Sequence, residues 1–193
     1  MPLQVSSNPS GSGQGGQGYM GDGIFIDEAV ILEVGNRSGT KAGPNQQWSN
    51  DLQVEVKMRL LKNDWERTVN VGGNFKVDEQ GEVDWGSAFK VRNFFEACNA
   101  LNEKVLGDKK ELNTALTSME GGEISPVLLS FCIGKTVKIL SYKKADGKSA
   151  TWNQIVHHKR DDQKFKDYFL RQFDKGYVKN YAPDAAPNRT NST

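Results

Sequence analysis

Apolar and polar residues alternate most cleanly between Leu52 and Leu60. Leu52, Val54, Val56, Met58 and Leu60 fall on one side of an extended chain, and Gln53, Glu55, Lys57 and Arg59 on the other. Successive side chains of a strand point to opposite faces, so this pattern predicts a half-buried strand over 52–63. Residues 23–36, rich in Ile, Val and Phe, predict a long first strand with a bend, and 37–51 read as a loop from their Gly, Pro and Asn content. Residues 65–77 predict a third strand, in which Gly72-Gly73 marks a bulge or sharp turn. The period then lengthens. Phe89, Val91, Phe94, Phe95, Cys98 and Leu101 recur at helical spacing behind Ser87 as N-cap. Asp108 and Glu111 form a capping box ahead of Leu112, Ala115, Leu116 and Met119, and Gly121-Gly122 ends that helix. Both apolar stripes read as core. Strand character returns on either side of Asp146-Gly147, a dipeptide suited to a tight hairpin turn. Asp161 or Asp162 caps a last helix whose Phe165, Tyr168, Phe169 and Phe173 share a face, closed by Gly176.

Three strands, a helical insertion, a two-strand hairpin and a terminal helix give a mainly β chain. Five strands with the insertion between the third and fourth is the order of an OB-fold, a small, partly open five-stranded barrel. The glycine pair supports the barrel, because barrels need corners. An α+β sheet covered by helices has the same element count and is the structural alternative. The implied organisation is a flexible Gly-rich leader at 1–22, an OB-fold nucleic-acid-binding domain at 23–160, a C-terminal helix at 161–181 and a disordered tail at 182–193.

Composition adds little until charge is divided. The 193 residues carry a net charge of +1, but residues 77–127 hold ten acids against five bases and 136–181 hold eleven bases against five acids. Such a chain can offer one face to a polyanion. No apolar run approaches the roughly 18 residues of a membrane span, and the N-terminus is not signal-like. Cys98 and Cys132 sit in apolar contexts without metal-ligand spacing, which predicts buried thiols in a reducing compartment.

Several motifs fail on context. Gly13, Gly15 and Gly18 match a dinucleotide fingerprint by letters, but no strand precedes them and no helix follows. Gly134-Lys135-Thr136 lacks the earlier glycine of a phosphate-binding loop, where Leu129 stands. His157 and His158 are adjacent on a strand, so they point apart and do not share a metal. Asp161-Asp162 is explained by helix capping. Nothing marks a nucleophile or a carboxylate cluster, and neither catalysis, a cofactor nor a metal is expected.

Rings and cations interleave on the predicted strands and loops. Lys57 and Arg59 share the polar face of the second strand; Trp65 and Arg67 share parity on the third, followed by Lys76. Lys138 and Tyr142 share parity on the fourth, Lys143, Lys144 and Lys148 crowd the hairpin tip, and Trp152 lies across it. Arg37, Lys41 and Trp48 belong to the first loop. A flexible polyanion is held this way, with ammonium and guanidinium groups meeting phosphates and rings stacking on bases. In an OB-fold the second and third strands and the first and last hairpin loops form the nucleic-acid groove. Any one aromatic residue also suits a barrel core, and the parity of Trp65 with Val69 and Val71 argues for an inward ring there. Trp48 and Tyr142 sit among polar neighbours.

On these features, and on the closing hairpin from Cys132 to Val156, residues 23–160 resemble a bacteriophage-type single-stranded DNA-binding protein. The resemblance implies coating and protection of exposed single strands in DNA replication or recombination, with a groove lined by Lys57, Arg59, Trp65, Arg67, Lys143, Lys144, Lys148 and Trp152. It also implies action in the cytoplasm of a bacterial host, replication or recombination proteins as partners, and no membrane. Proteins of this kind commonly end in an acidic tail; here residues 180–193 hold one acid and one base, so the last helix is left to pack on the barrel or to pair subunits. The alternative function is a structural or protein-interaction module using that aromatic helix.

Overall fold

The computed structural model describes residues 24–39, 51–143, 149–164 and 167. The chain divides into two units. One comprises Ile26–Leu140 and Trp152–Asp161 and contains the core; the other comprises Met1–Phe25, Ser141–Thr151 and Asp162–Thr193. In the second unit the described residues are 24–25, 141–143 and 149–151, all in strands, and the helical positions 162–164 and 167.

Strands β1 (Ile24–Asn36), β2 (Leu52–Leu60) and β3 (Glu66–Gly73) form an antiparallel meander. The expected alternation of β2 holds: Leu52, Val54, Val56, Met58 and Leu60 are all buried. The bend expected in β1 is a bulge. Its register on β2 shifts between Ile31 and Glu33, so Leu32 is the extra residue. At that point Ile31 hydrogen-bonds instead to the turn before the next long strand, donating to the Lys135 carbonyl (3.0 Å) and accepting from the Gly134 N–H (2.9 Å).

The third strand is shorter than expected and ends at the glycine pair. Beyond it lies a small ribbon of β4 (Lys76–Val77) and β5 (Val83–Asp84), whose turn is closed by Asp78 accepting from the N–H groups of Gln80 and Glu82. Phe75 is buried edge-on against Trp85, with ring centroids 5.0 Å apart. Gly73 is a place of close approach and not a barrel corner, since a β-carbon there would overlap the backbone of Ser87 and Ala88. That contact also displaces the expected cap. Ser87 lies in a 3-10 turn (Gly86–Ala88) and its Oγ accepts from the Asn74 N–H at 2.7 Å, so α1 (Phe89–Ala97) starts without a side-chain cap. Val91, Phe94, Phe95 and Cys98 are buried as expected.

Helix α2 (Glu103–Leu106) was not expected; Asn102 caps it by accepting from the Val105 N–H. Helix α3 (Lys109–Ser118) begins as expected, with Asp108 accepting from the Glu111 N–H at 2.9 Å, and passes into a 3-10 turn (Met119–Gly121) that Gly122 closes in the left-handed conformation. Helix α4 (Pro126–Cys132), also unexpected, has Pro126 in its first turn. The Cys98 and Cys132 thiols are buried and hydrogen-bonded to each other; that bond and burial hold the Cys98 thiol far above its ordinary range. Strands β6 (Thr136–Lys143) and β7 (Ser149–His157) are the expected hairpin.

The five long strands make one antiparallel sheet in the order β3-β2-β1-β6-β7. A fourth long strand returning beside the first is the Greek-key arrangement, here extended by β7. The helical insertion lies between the third and fourth long strands, as expected. The closed barrel does not form, because β3 and β7 are the two edges of the sheet. The architecture is mixed, not mainly β. Helix α1 packs across β2 and β3, so the apolar side of those strands is covered without the sheet curling onto its far edge.

Candidate nucleic-acid interface

The register of the meander decides which candidate side chains share a face. Across β1, β2 and β3 it aligns Glu33, Lys57 and Thr68 in one row, Val30, Arg59 and Glu66 in the next, and Gly35, Glu55 and Asn70 in another. The bulge at Leu32 is what brings Glu33 opposite Lys57; without it Glu33 would stand opposite Val56, on the core side. Lys57 and Arg59 thus share the outer face, as expected, but with acids among them. The Lys57 ammonium lies 3.1 Å from Glu66 and 3.3 Å from Glu33, and these hydrogen bonds, Glu66 foremost, raise its pKa above the usual lysine value. Arg59 approaches Glu66 at 3.8 Å, and Arg37 holds Glu55 through Nη2 (2.9 Å) and Nε (3.3 Å). Three cations meet three carboxylates. All six side chains are about one-third exposed or more, so this is a solvated face of alternating sign.

Trp65 and Arg67 do not join that face. Arg67 pairs with the buried Met58, and both residues share parity with the buried Val69 and Val71. They sit half-buried at the rim of the core side, the Arg67 guanidinium carbon 5.5 Å from the centroid of the Trp65 ring. Lys76 is exposed on the small ribbon, opposite Asp84. Lys138 is half-buried on β6, and its ammonium donates to the Arg160 carbonyl at 3.0 Å. Tyr142 and Lys143 belong to β6 and Trp152 to β7. Lys41, Trp48, Lys144 and Lys148 lie outside the described residues, as do most of the expected 161–181 helix and the whole of the leader and tail.

One basic cluster was missed by sequence reasoning. After β7 the chain turns at His157–Arg160, with the Arg160 N–H donating to the His157 carbonyl (2.9 Å) and the Lys159 N–H to His157 Nδ1 (3.1 Å). The two imidazoles stack, centroids 4.6 Å apart. Desolvation, then the neighbouring His158 and Lys159, hold the His157 pKa below its ordinary value. The adjacent Lys159-Arg160 pair was visible in the sequence, but only the turn brings Lys138 to it.

Among the described residues no group of three or more His, Cys, Asp or Glu side chains could hold a metal ion, and no helix is long and apolar enough to cross a membrane. A cleft of about 280 Å³ lies beside α3 and α4, with Glu111 and Glu123 among its walls. Comparisons with protein-family models, with curated proteins and with solved structures each returned no match.

Proposed function

We propose that this chain is a non-enzymatic single-stranded DNA-binding protein that coats and protects exposed strands during replication or recombination, with little sequence preference, inside a bacterial host cell. The reading rests on a resemblance to bacteriophage proteins of that kind. The observation that carries it is the sheet order β3-β2-β1-β6-β7 with helices inserted before β6. A five-stranded Greek-key sheet left open between its third and last long strands, β3 and β7, is the arrangement an OB-fold takes when its barrel is not closed. The uneven charge of the chain, with bases concentrated from Thr136 onward, supports a polyanionic ligand.

The ion pairs of the outer face do not close it to phosphate. Exposed pairs are weak and screened by salt, whereas each phosphate neutralised on a nucleic acid also releases condensed counterions. Lys57 and Arg59 can therefore exchange carboxylate for phosphate, while stacked bases add about 1–3 kcal/mol each on aromatic side chains. The test is tryptophan fluorescence during titration with oligo-dT, repeated with a duplex and over a range of salt. Quenching by the single strand alone, weakening steeply with salt, is expected. Equal response to the duplex, or no dependence on salt, sinks the reading. The charge compensation of Lys57, Arg59 and Arg37 favours a second reading, a protein-interaction module, which predicts no oligonucleotide response at all.

A further inference from the structure

We infer that the His157–Arg160 turn, together with Lys138, is a phosphate-binding site, an anchor for the backbone of the polyanion; as a DNA contact it rests on the function proposed above. The outer face of β1–β3 presents cations already matched by acids. The turn differs. Lys159 and Arg160 are exposed, and among the described residues no carboxylate lies within 4.0 Å of either. Two hydrogen bonds fix the backbone that carries them, and both end on His157: its carbonyl accepts from the Arg160 N–H and its Nδ1 from the Lys159 N–H. With Nδ1 accepting, the neutral imidazole carries its proton on Nε2, which makes that atom a donor. Lys138, reaching from β6, is tied to the same turn by its 3.0 Å bond to the Arg160 carbonyl. Two permanent cations and two stacked imidazoles thus gather on one short, hydrogen-bonded turn, with a third cation tied to it from β6. Asp161 and Asp162 follow directly and, like Lys138, take part in further interactions.

This chemistry suits phosphate oxygens. A guanidinium offers a planar fork of donors, an ammonium a point charge and an imidazole a neutral N–H, and all are anchored to ordered backbone. Two sources could supply the phosphates, a nucleic-acid backbone or a free polyphosphate, and the experiment separates them. The variant is Lys159→Gln with Arg160→Gln, two exposed side chains outside the core. Oligo-dT affinity is measured across a salt series, and the two histidines, the only ones in the chain, are followed by NMR during titration with inorganic pyrophosphate.

Two lost phosphate contacts lower the salt slope by about 1.4, which at 0.1 M salt corresponds to about 25-fold weaker binding relative to a 1 M reference. Pyrophosphate is expected to move the histidine signals of the native protein and not those of the variant. If the native protein binds oligo-dT but the variant keeps the same slope and pyrophosphate moves no histidine signal, the turn is not the anchor and the proposed function stands. If pyrophosphate moves those signals while oligo-dT is not bound, the site takes free polyphosphates and the DNA-binding reading is overturned. Silence in both assays overturns both.

Discussion

Replacing Gly73 by alanine tests how the helical insertion is seated on the sheet. The new methyl would fall on the carbonyl of Ser87 and the nitrogen of Ala88, which are backbone atoms that no side-chain rotation can move aside. Relief requires the Gly86–Ala88 turn to shift. That strains the 2.7 Å bond from the Asn74 N–H to Ser87 Oγ and the 3.2 Å bond from the Ala88 N–H to the Asn74 carbonyl, and it draws α1, with its fully buried Phe94 and Phe95, away from β2 and β3. Overpacking of this kind costs about 1–3 kcal/mol, and a weakened hydrogen bond about 1 more. At about 2–4 °C per kcal/mol for a chain of this size, the melting temperature should fall by on the order of 10 °C. Gly35→Ala is the control, because nothing lies within 4 Å of a β-carbon there. It should be neutral or stabilise by about 0.4–1 kcal/mol, through the less flexible unfolded chain. Thermal melts followed by circular dichroism decide the matter. A Gly73→Ala protein that melts with the native one would refute the close seating of the turn on β3.

The remaining predictions concern charge and capping. Glu33→Gln with Glu66→Gln releases Lys57 and Arg59; the melting temperature should barely move, because the pairs are solvent-exposed, while the salt slope of oligo-dT binding steepens by up to about 1.4. An unchanged slope in fluorescence anisotropy would mean that this face meets no phosphate. Asp108→Ala removes the cap on the Glu111 N–H and should cost about 1 kcal/mol in urea unfolding, with the slope against denaturant unchanged. His157 has a folded pKa below its ordinary value of 6.5, so the unfolded chain takes up that proton more readily. Its contribution to stability is therefore complete above about pH 6.5 and declines as pH falls through the lower folded value, a decline that His157→Gln should remove in pH-dependent melts.

What could be read from the chain was local. The alternation in β2 and the stripes of α1 and α3 are periodic over several turns or pleats and survive in the structure. Helices α2 and α4, at four and seven residues, are too short to establish a period. The openness of the sheet was not legible, because pairing between the first and last strands of an order such as β3-β2-β1-β6-β7 has no local signature. Parity with Val69 and Val71 did argue for an inward Trp65, but Arg67, which shares that parity, was grouped with Lys57 and Arg59 in the groove and lies instead on the core side. The pairing of Lys57 with Glu33 could not be read, since it depends on one extra residue, Leu32, changing the register of β1. The gathering of Lys138 with His157–Arg160 is likewise a product of strand pairing.

The central position of β1 has a consequence for synthesis. One side of this strand is satisfied by β2 soon after it leaves the ribosome, but the other waits for β6, which begins about a hundred residues beyond Asn36. At about 5–20 residues per second, that side stays open for roughly 5–20 s in every nascent chain. A hairpin of β1 and β2 with a free inner border is prone to mispair in that interval, so truncations ending before Thr136 should aggregate where the full-length chain does not.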